Sequence, residues 1–510
     1  MTKPKIDATQ YKKTKIIPTI GLASQEKIAD LLEGGVNGVR LNFSHNTHQW
    51  HINTAKAVRE AAKKLDRSVA IIQDLPGPKI RVGKLPGGGK EISTGEKLAF
   101  KYSLKSTYKG EIPIQHDFSG EVKKGDRLFL RDGQIQTEIV EIKGKVIYAK
   151  AINSGKIMSD HGINLPDTVY KKGVLSEKDK KDLTVTAKID ADYVAVSFAH
   201  TAEDILDVRE ELKKHRADAK IIAKIETKSA VINLEDIIRQ SDAVMIARGD
   251  LAIEIGPEQV PIVGREIILL SRKYKKPVIM ATQMLESMIT TTTPTRAEAN
   301  DVATAVSLGV DCLMLSGETA IGQFPVETVK MMKRIILSAE QYFVTTAMSV
   351  ELIDEEEIEV VEPDEPRLLK RLSEKGRLVF SREPQMSGKI SSNAAQTSVS
   401  FAAITLAEHM KAKFIIAETQ TGATAMGIAS LRPSSPLAVI SPVQKVCNQC
   451  SILWGSKTFL VPKAKSYTQK ILKKVLGRGA VSPGDWVVEA YGKNEGVAGG
   501  TDTVRLLEVK

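Results

Sequence analysis

The sequence predicts an α/β protein built on a parallel (β/α)8 barrel, interrupted once by a small inserted β domain and followed by a second α/β unit. Three observations point there. Eight apolar segments each end in polar residues and are separated by stretches long enough for a helix, the alternation expected of a closed parallel sheet. The interval between the third and the fourth is far too long for one helix. A fresh alternation of strands and helices begins near residue 391.

The segments are read in order. Lys15 to Gly21 comes first, followed by Ser24 as a helix cap and the amphipathic run Ile28 to Leu32. Val36 to Ser44 puts Arg40, Asn42 and Ser44 on one face, because side chains alternate along a strand. Val69 to Asp74 ends in Asp74, and Tyr193 to Phe198 presents Ser197. In the fifth, Ile221 to Glu226, Lys224 and Glu226 share a face. Ala243 to Asp250 places Arg248 and Asp250 on one face around Gly249; Pro277 to Gln283 ends in Thr282 and Gln283; Cys312 to Thr319 carries Ser316 and Glu318. A TIM-type barrel keeps its chemistry at the C-terminal ends of its strands, where these polar residues fall.

Most strand ends lie roughly 25 to 35 residues apart, but Asp74 to Phe198 takes about 120, leaving about 90 for an insert. The insert reads as short strands, such as Lys97 to Tyr102, Arg127 to Leu130 and Lys145 to Ala151, with Gly turns between them. The boundaries that follow are residues 1–75 and 167–348 for the catalytic barrel and 76–166 for a small β-barrel lid that excludes water on closing. Residues 349–390, acidic from Glu351 to Glu365 and basic from Arg367 to Arg377, read as a charged connector or extra element, and 391–510 as a C-terminal α/β domain. Its strands are expected at Ala403 to Leu406, Phe414 to Glu418, Leu437 to Ile440, Thr458 to Val461 and Trp486 to Ala490.

Composition is ordinary for a globular chain of 510 residues, with 42% hydrophobic and 26% charged residues. No apolar run approaches the roughly 20 residues of a membrane span, and the polar start lacks a signal peptide's apolar core. Three cysteines give no disulfide framework, so the expected compartment is the cytoplasm. The formal charge of +11 attracts anions in general, but no RNP motif, zinc-finger spacing or basic helix with interleaved aromatics accompanies it, so nucleic acid is not the expected partner.

Lys224 beside Glu226 at the end of a buried strand suits a Mg2+ site that handles a phosphoryl group: the carboxylate holds metal and the ammonium neutralises transferring oxygens. An isolated Lys-x-Glu reads first as a structural ion pair. The recurrence of polar strand ends down the chain favours the site. With no Walker A motif and no G-x-G-x-x-G after a strand, phosphates fall to arginines and metal.

The stretches KTKIIPTIG, GVRLNFSHN, DLPGPKIRVG, DYVAVSFAH, IIAKIET, IARGDLAIEI, ATQMLESM, TTPTRAEANDVA and MLSGETAIG, in that order, closely resemble the pyruvate kinase family. The resemblance covers residues 14 to about 325, and the C-terminal part resembles the family's effector-binding domain. It implies transfer of a phosphoryl group from phosphoenolpyruvate to ADP, with ATP and pyruvate as products, in a cytoplasmic homotetramer. Glu226 and Asp250 are then ligands of Mg2+ or Mn2+, Lys224 stabilises the phosphoryl group, and Arg40 grips it with the ADP phosphates. Arg81, Asn42 and His45 fall near nucleotide; Gly249, Asp250 and the Thr282 hydroxyl hold the substrate's carboxylate and enolate. Ser316 and Glu318 resemble the end of a water chain that protonates the enolate, and Arg296 an interface and activation residue.

Asn42, Ser44, Asp74 and the carbonyl of Leu75 resemble a monovalent-cation site, usually for K+. Members that need K+ carry Glu where this chain has Lys79; an ammonium there replaces the ion's charge, so K+ is expected to be dispensable. Other departures are Leu22 in place of a proline near the nucleotide, Asn46 in place of a glycine, Ala199-His200 in place of Val-Arg, and Arg131-Asp132-Gly133 in place of a D-D-G turn. Asp132 is either a nucleotide contact or a turn residue. The loop Thr419, Thr421, Gly422 and Thr424 is placed to hold a phosphorylated effector ahead of a helix, although sugar-phosphate-binding members carry Arg where this chain has Ala423. Cys447 and Cys450 read as a buried structural pair, and His48 and His51 as helix-surface residues. The rival readings are a Mg2+-dependent aldolase or lyase, and a catalytically silent effector- or RNA-binding protein.

Overall fold

The structure, a computed structural model, describes residues 11–103, 110–131, 133–168, 173–350, 368–372, 378–381, 393–461, 472, 480–492 and 501–510. Eight short strands carry the fold: β1 (Lys15–Pro18), β2 (Gly38–Asn42), β3 (Ala70–Asp74), β4 (Tyr193–Val196), β5 (Lys220–Ile225), β6 (Ala243–Ala247), β7 (Val278–Ala281) and β8 (Cys312–Leu315). They pair in parallel in the order β1-β8-β7-β6-β5-β4-β3-β2. The seam between β1 and β2 is closed by a bridge from Thr19 to Arg40, with the Ile20 amide on the Arg40 carbonyl at 3.0 Å and the Asn37 amide on the Ile16 carbonyl at 3.0 Å. The expected (β/α)8 barrel is therefore the observed one.

The strands form where Val, Ile, Ala and Met run together, because both faces of each strand are covered. Outward side chains such as Ile71, Val194, Ile221 and Leu313 pack on the surrounding helices, while Ile17, Ile72, Tyr193, Ile222, Met245 and Met314 fill the interior. Helices start where a side chain takes up their first amides. Thr47 accepts from the Trp50 amide ahead of His48–Lys64, and Thr295 with Glu298 forms a capping box ahead of Arg296–Ser307.

The inserted segment forms its own seven-stranded sheet around Phe100, Phe118, Ile139 and Ile147. It leaves and returns through Ile80–Arg81 and Gly162–Asn164, which pair antiparallel. Arg127 on a lid strand makes a bidentate pair with Asp167 on the returning chain, at 2.8 Å to each oxygen, and Lys228 of the barrel lies 3.6 Å from the same carboxylate.

In the C-terminal part, Ser456–Leu460, Leu437–Ser441, Ile415–Glu418 and Trp486–Tyr491 pair in parallel, and Thr503–Glu508 adds an antiparallel edge. The strand expected at Ala403 to Leu406 is instead the middle of a helix, Asn393–His409, whose face with Ala403, Ile404 and Ala407 is buried on the sheet. A short apolar run does not by itself distinguish a strand from a buried helix face, and the neighbouring alanines favour the helix. Leu368–Leu372 and Leu378–Ser381 pair as an antiparallel hairpin; the acidic run Glu351 to Glu365 lies outside the described residues. Among the described residues no helix is long and apolar enough to cross a membrane.

The C-terminal domain plugs the bottom of the barrel. Ile452, fully buried, packs with the interior residues of the strands, the Tyr193 hydroxyl donates to the Gln449 carbonyl at 2.9 Å, and the Lys15 ammonium donates to the Ser456 carbonyl at 2.7 Å. Arg432 grips Asp311 at 2.7 Å beside the start of β8. Truncating the plug by Ile452→Ala leaves a cavity in a dry site, so the barrel transition in urea is expected to lose about 2 to 5 kcal/mol. An unchanged midpoint would show that the plug adds nothing to the barrel.

Candidate functional site

Arg40, Asp74, Ser197, Lys224 and Glu226 meet at the C-terminal ends of β2 to β5. Parallel register sets Asn42 beside Asp74 and Ala195 beside Asp74, so adjacent strand ends are level. The Lys224 ammonium donates to Ser197 Oγ at 2.6 Å and lies 3.2 Å from Glu226 Oε2 and 3.5 Å from Asp74 Oδ1. Ser197 in turn donates to the Leu75 carbonyl at 2.7 Å. Arg40 binds the other Asp74 oxygen through Nε at 2.5 Å and Thr19 Oγ1 through Nη1 at 3.0 Å.

Electrostatics follow from burial and pairing. Burial alone would push the Asp74 carboxyl up, but Arg40 and Lys224 outweigh it and hold the group below its ordinary value. Burial alone would push the Lys224 ammonium down, and Asp74 and Glu226 hold it above its ordinary value instead. Glu226 is raised by its complete burial against the pull of Lys224. Its Oε1 accepts from the Phe198 amide at 2.7 Å, whereas its buried Oε2 accepts no hydrogen bond.

The other side of the mouth differs from the sequence expectation. β6 stops at Ala247, and Arg248, Gly249 and Asp250 open a helix, Arg248–Ile255, rather than sharing a strand face. The chain turns at this point, so the amides of the first helical turn face the mouth without intrahelical acceptors. The Gly249 amide donates to Thr282 Oγ1 at 3.0 Å. Thr282 and Gln283 follow β7 in left-handed backbone, with φ of 68° and 53°. Asp250 is partly exposed, and the Lys79 ammonium lies 3.3 Å from its Oδ1. Gly249, Asp250, Thr282 and Lys79 line a cleft of about 810 Å³ between barrel and lid, together with Arg127 and Gln134.

Several of the other expected residues have partners within the protein. Glu318 is fully buried, accepting from the Leu285 amide at 3.1 Å and the Ser316 amide at 2.6 Å, so it also shapes the turn that presents Ser316. Arg81 sits on the first hinge strand and donates to the Asp160 carbonyl at 2.9 Å, on the lid side. Asn42 Oδ1 accepts from the Ser44 amide at 3.1 Å, and Ser44 and His45 are exposed at the rim. Of the expected monovalent-cation residues, Asp74 is thus engaged by Arg40 and Lys224, and Leu75 by Ser197. The ion pair found for Lys79 is with Asp250, one of the two carboxylates expected to hold a divalent ion. Asp132 lies outside the described residues.

Farther away, Arg296 opens its helix with its side chain exposed. Thr419, Thr421, Gly422 and Thr424 lie between the strand Ile415–Glu418 and the helix Ala423–Ser430. Thr419 Oγ1 accepts from the Gly422 amide at 2.8 Å, while the buried Thr424 hydroxyl meets Thr501 at 2.6 Å. Cys447 and Cys450 are buried free thiols raised to about 12 and about 11 by burial. His51, expected on a helix surface, is buried and stacked on Phe43 at 3.9 Å; His48 pairs with Asp182 at 2.7 Å.

Two residues of the site escape a reading of side-chain patterns, Thr19 and Glu254. Thr19 has a signal in its place at the end of the first strand, next to Arg40 in a closed barrel. Nothing in the sequence marks Glu254, whose burial depends on a helix that the pattern presents as a strand end.

The barrel region, residues 11–329, matches the family profile described as pyruvate kinase, barrel domain, and residues 397–507 match pyruvate kinase, alpha/beta domain. A pyruvate kinase of Agrobacterium vitis is 35% identical over 507 residues, 98% of either chain. One of Staphylococcus aureus is 34% identical over 504 residues, 97% of this chain and 80% of its own. Among solved structures, a pyruvate kinase from Cryptosporidium parvum superposes with a TM-score of 0.84 at 30% identity, over 99% of this chain and 98% of that one.

Glu254 supplies a test of the helix that carries Asp250. Burial pushes its carboxyl from 4.5 up to about 7, against a weak bond from the Lys228 amide at 3.4 Å. Between those values the unfolded chain has released a proton that the folded chain keeps, so the native protein loses stability as pH rises through that window. Glu254→Gln lacks this loss. Its stability advantage over the parent in urea is expected to grow by about 3 kcal/mol from pH 4.5 to 7.5; a constant difference would exclude the buried acid.

Proposed function

Because the chain belongs to the pyruvate kinase family, a family of phosphotransferases, we propose that it transfers the phosphoryl group of phosphoenolpyruvate to ADP, giving ATP and, after protonation of the enolate, pyruvate, as a step of glycolysis. The observation that carries this reading is the Lys224 ammonium, held by Ser197 between the carboxylates of Asp74 and Glu226 with Arg40 on the far side of Asp74. Two cations anchored at strand ends, beside a buried carboxylate oxygen that accepts no hydrogen bond, suit a reaction whose catalysis is positioning and charge stabilisation.

Lys224 would meet the phosphoryl oxygens as they leave the enolate, already charged and already oriented. Arg40, fixed in direction by Asp74 and Thr19, would hold the same group from the other side. The Asp250 amide, in the first turn of its helix beside the Gly249–Thr282 contact, suits the substrate carboxylate. Thr282 Oγ1, accepting from the Gly249 amide, has its own hydrogen to donate toward the enolate oxygen. Ser316, held by Glu318, stands at the end of β8 for proton delivery.

Glu226 and Asp250 fit a divalent ion of the Mg2+ or Mn2+ kind, since Glu226 keeps a buried oxygen that accepts no hydrogen bond and Asp250 opens to the cleft. When bound, such an ion draws charge from substrate oxygens.

The finer proposals concern control. Lys79, with its charge beside Asp250, supports activity without K+. Exposed Arg296 supports a homotetramer, the Thr419 to Thr424 loop a phosphorylated effector, and the Ile452 plug a C-terminal domain felt by the barrel. Buried free thiols suit a cytoplasmic setting.

The direct test is pyruvate formation from phosphoenolpyruvate and ADP with Mg2+, in K+ and in tetramethylammonium buffer. ADP-dependent pyruvate in both is expected, and Lys79→Glu should create a K+ requirement; activity only with K+ in the parent removes the role of Lys79, and no pyruvate from folded protein removes the activity. Ser197→Ala takes away the hydrogen bond that seats Lys224 and is expected to lower kcat roughly ten- to a hundredfold. An unchanged kcat would mean that the carboxylates alone seat the ammonium.

A further inference from the structure

We propose that Arg248 is a positioning residue, anchored by Asp301, that holds the Thr282–Gln283 turn in left-handed backbone and thereby fixes the Thr282 hydroxyl against the Gly249 amide. This inference rests on the reading of Gly249, Asp250 and Thr282 as the substrate-facing edge of the site, and adds to it a residue for which that reading had no use.

Two consecutive residues other than glycine with positive φ are costly, the more so when the first is β-branched. Something outside the turn must select that conformation. In an extended strand successive carbonyls point to opposite sides; in the turn after β7 they converge instead on the Arg248 guanidinium. Nε donates to the Ala281 carbonyl at 3.2 Å, and Nη2 donates to the Thr282 carbonyl and to the Gln283 carbonyl at 3.4 Å. The same Nη2 also touches Met284 Sδ at 2.8 Å. An alternation of carbonyl directions would leave one of these acceptors facing away, so the guanidinium and the left-handed turn require each other.

The guanidinium is itself fixed. Its Nη1 donates to both Asp301 oxygens, at 2.9 and 2.6 Å, from the helix Arg296–Ser307. The planar fork of an arginine can serve a carboxylate on one edge and carbonyls on the other, which a lysine ammonium cannot reproduce. The contact is also reciprocal across two strands. Arg248 opens the helix after β6 and holds the backbone after β7, while Thr282 after β7 returns a hydroxyl to the amide of Gly249, the residue next to Arg248. Asp250 follows directly, so the direction of that helix turn and of its carboxylate depends on the same closed loop of contacts.

The prediction separates positioning from mere support of the fold. Arg248→Lys and Asp301→Asn are expected to lower kcat for pyruvate formation roughly ten- to a hundredfold. The KM for ADP should stay within about twofold of the parent and the urea midpoint should hold. Methylguanidinium at millimolar concentration should restore part of the kcat of Arg248→Ala and none of that of Thr282→Val. The second measurement does not need turnover: hydrogen exchange should quicken in peptides covering residues 248–252 and 281–284 of Arg248→Lys, and nowhere else in the barrel. If the parent protein forms no pyruvate, the functional reading fails and the exchange data still decide the positioning. Parent-like exchange in those peptides, or a parent-like kcat in Arg248→Lys, overturns the proposal; so does a kcat loss that appears only together with a lowered unfolding midpoint.

Discussion

The site depends on one buried ammonium. Lys224 has lost most of its water at the end of β5, and a cation in that position persists only if countercharges and hydrogen bonds replace its hydration. Asp74 and Glu226 supply the charges and Ser197 the oriented hydroxyl. Asp74 in turn would be over-committed to a single cation, and Arg40 takes its second oxygen. The alternating row from Arg40 through Asp74 and Lys224 to Glu226 exists because β2, β3, β4 and β5 are in parallel register, with their ends level. Closure of the barrel through Thr19 and Arg40 completes it, since the residue that binds Asp74 also bridges the seam.

Charge balance at the mouth connects this network to the proposed chemistry. Arg40, Lys224 and Lys79 stand against Asp74, Glu226 and Asp250, so the mouth is close to neutral without substrate. Phosphoenolpyruvate and ADP each bring several negative charges, and the anchored cations are already engaged with carboxylates. Binding them therefore calls for added cations, and the carboxylates of Glu226 and Asp250 suit the recruitment of mobile divalent charge along with the substrates. Lys79 brings a fixed charge to the same edge, from the hinge of the lid.

Much of the architecture is legible in the sequence because parallel barrels repeat one pattern. The period of two along a strand puts Lys224 and Glu226 on one face, and the oversized interval after Asp74 locates the lid. What the pattern misplaces has a common cause in where strands stop. Alternation sets Arg248 and Asp250 on a strand face, yet β6 ends at Ala247, and a strand end placed three residues too far makes a strand face out of a helix turn. Ala403 to Leu406 is too short a run to betray that it belongs to a helix. Glu318 stands out by its type and position, while the two amides that engage it leave no trace in the sequence. The role of Arg248 is beyond reach for a deeper reason. It depends on carbonyl directions set by the backbone at Thr282 and Gln283, and side-chain patterns carry no information about those.

The plug and the site lie at opposite ends of the same short strand. Tyr193, which begins β4, is hydrogen-bonded to Gln449 of the C-terminal domain, and Ser197, just past its end, seats Lys224. A strand advances about 3.3 Å per residue, so roughly 13 Å separates the two. The space between them is filled by Ile72, Ala195, Ile222 and Met245, all buried, and close-packed interiors pass displacement on rather than absorb it. Under the proposed function, a C-terminal domain that shifts Ile452 and Gln449 would act on the strand that orients the Lys224 ammonium. Control proposed in this way would need no moving lid and no contact with substrate, since Ser197, which lies just past the strand that Gln449 holds, is the residue that seats the Lys224 ammonium.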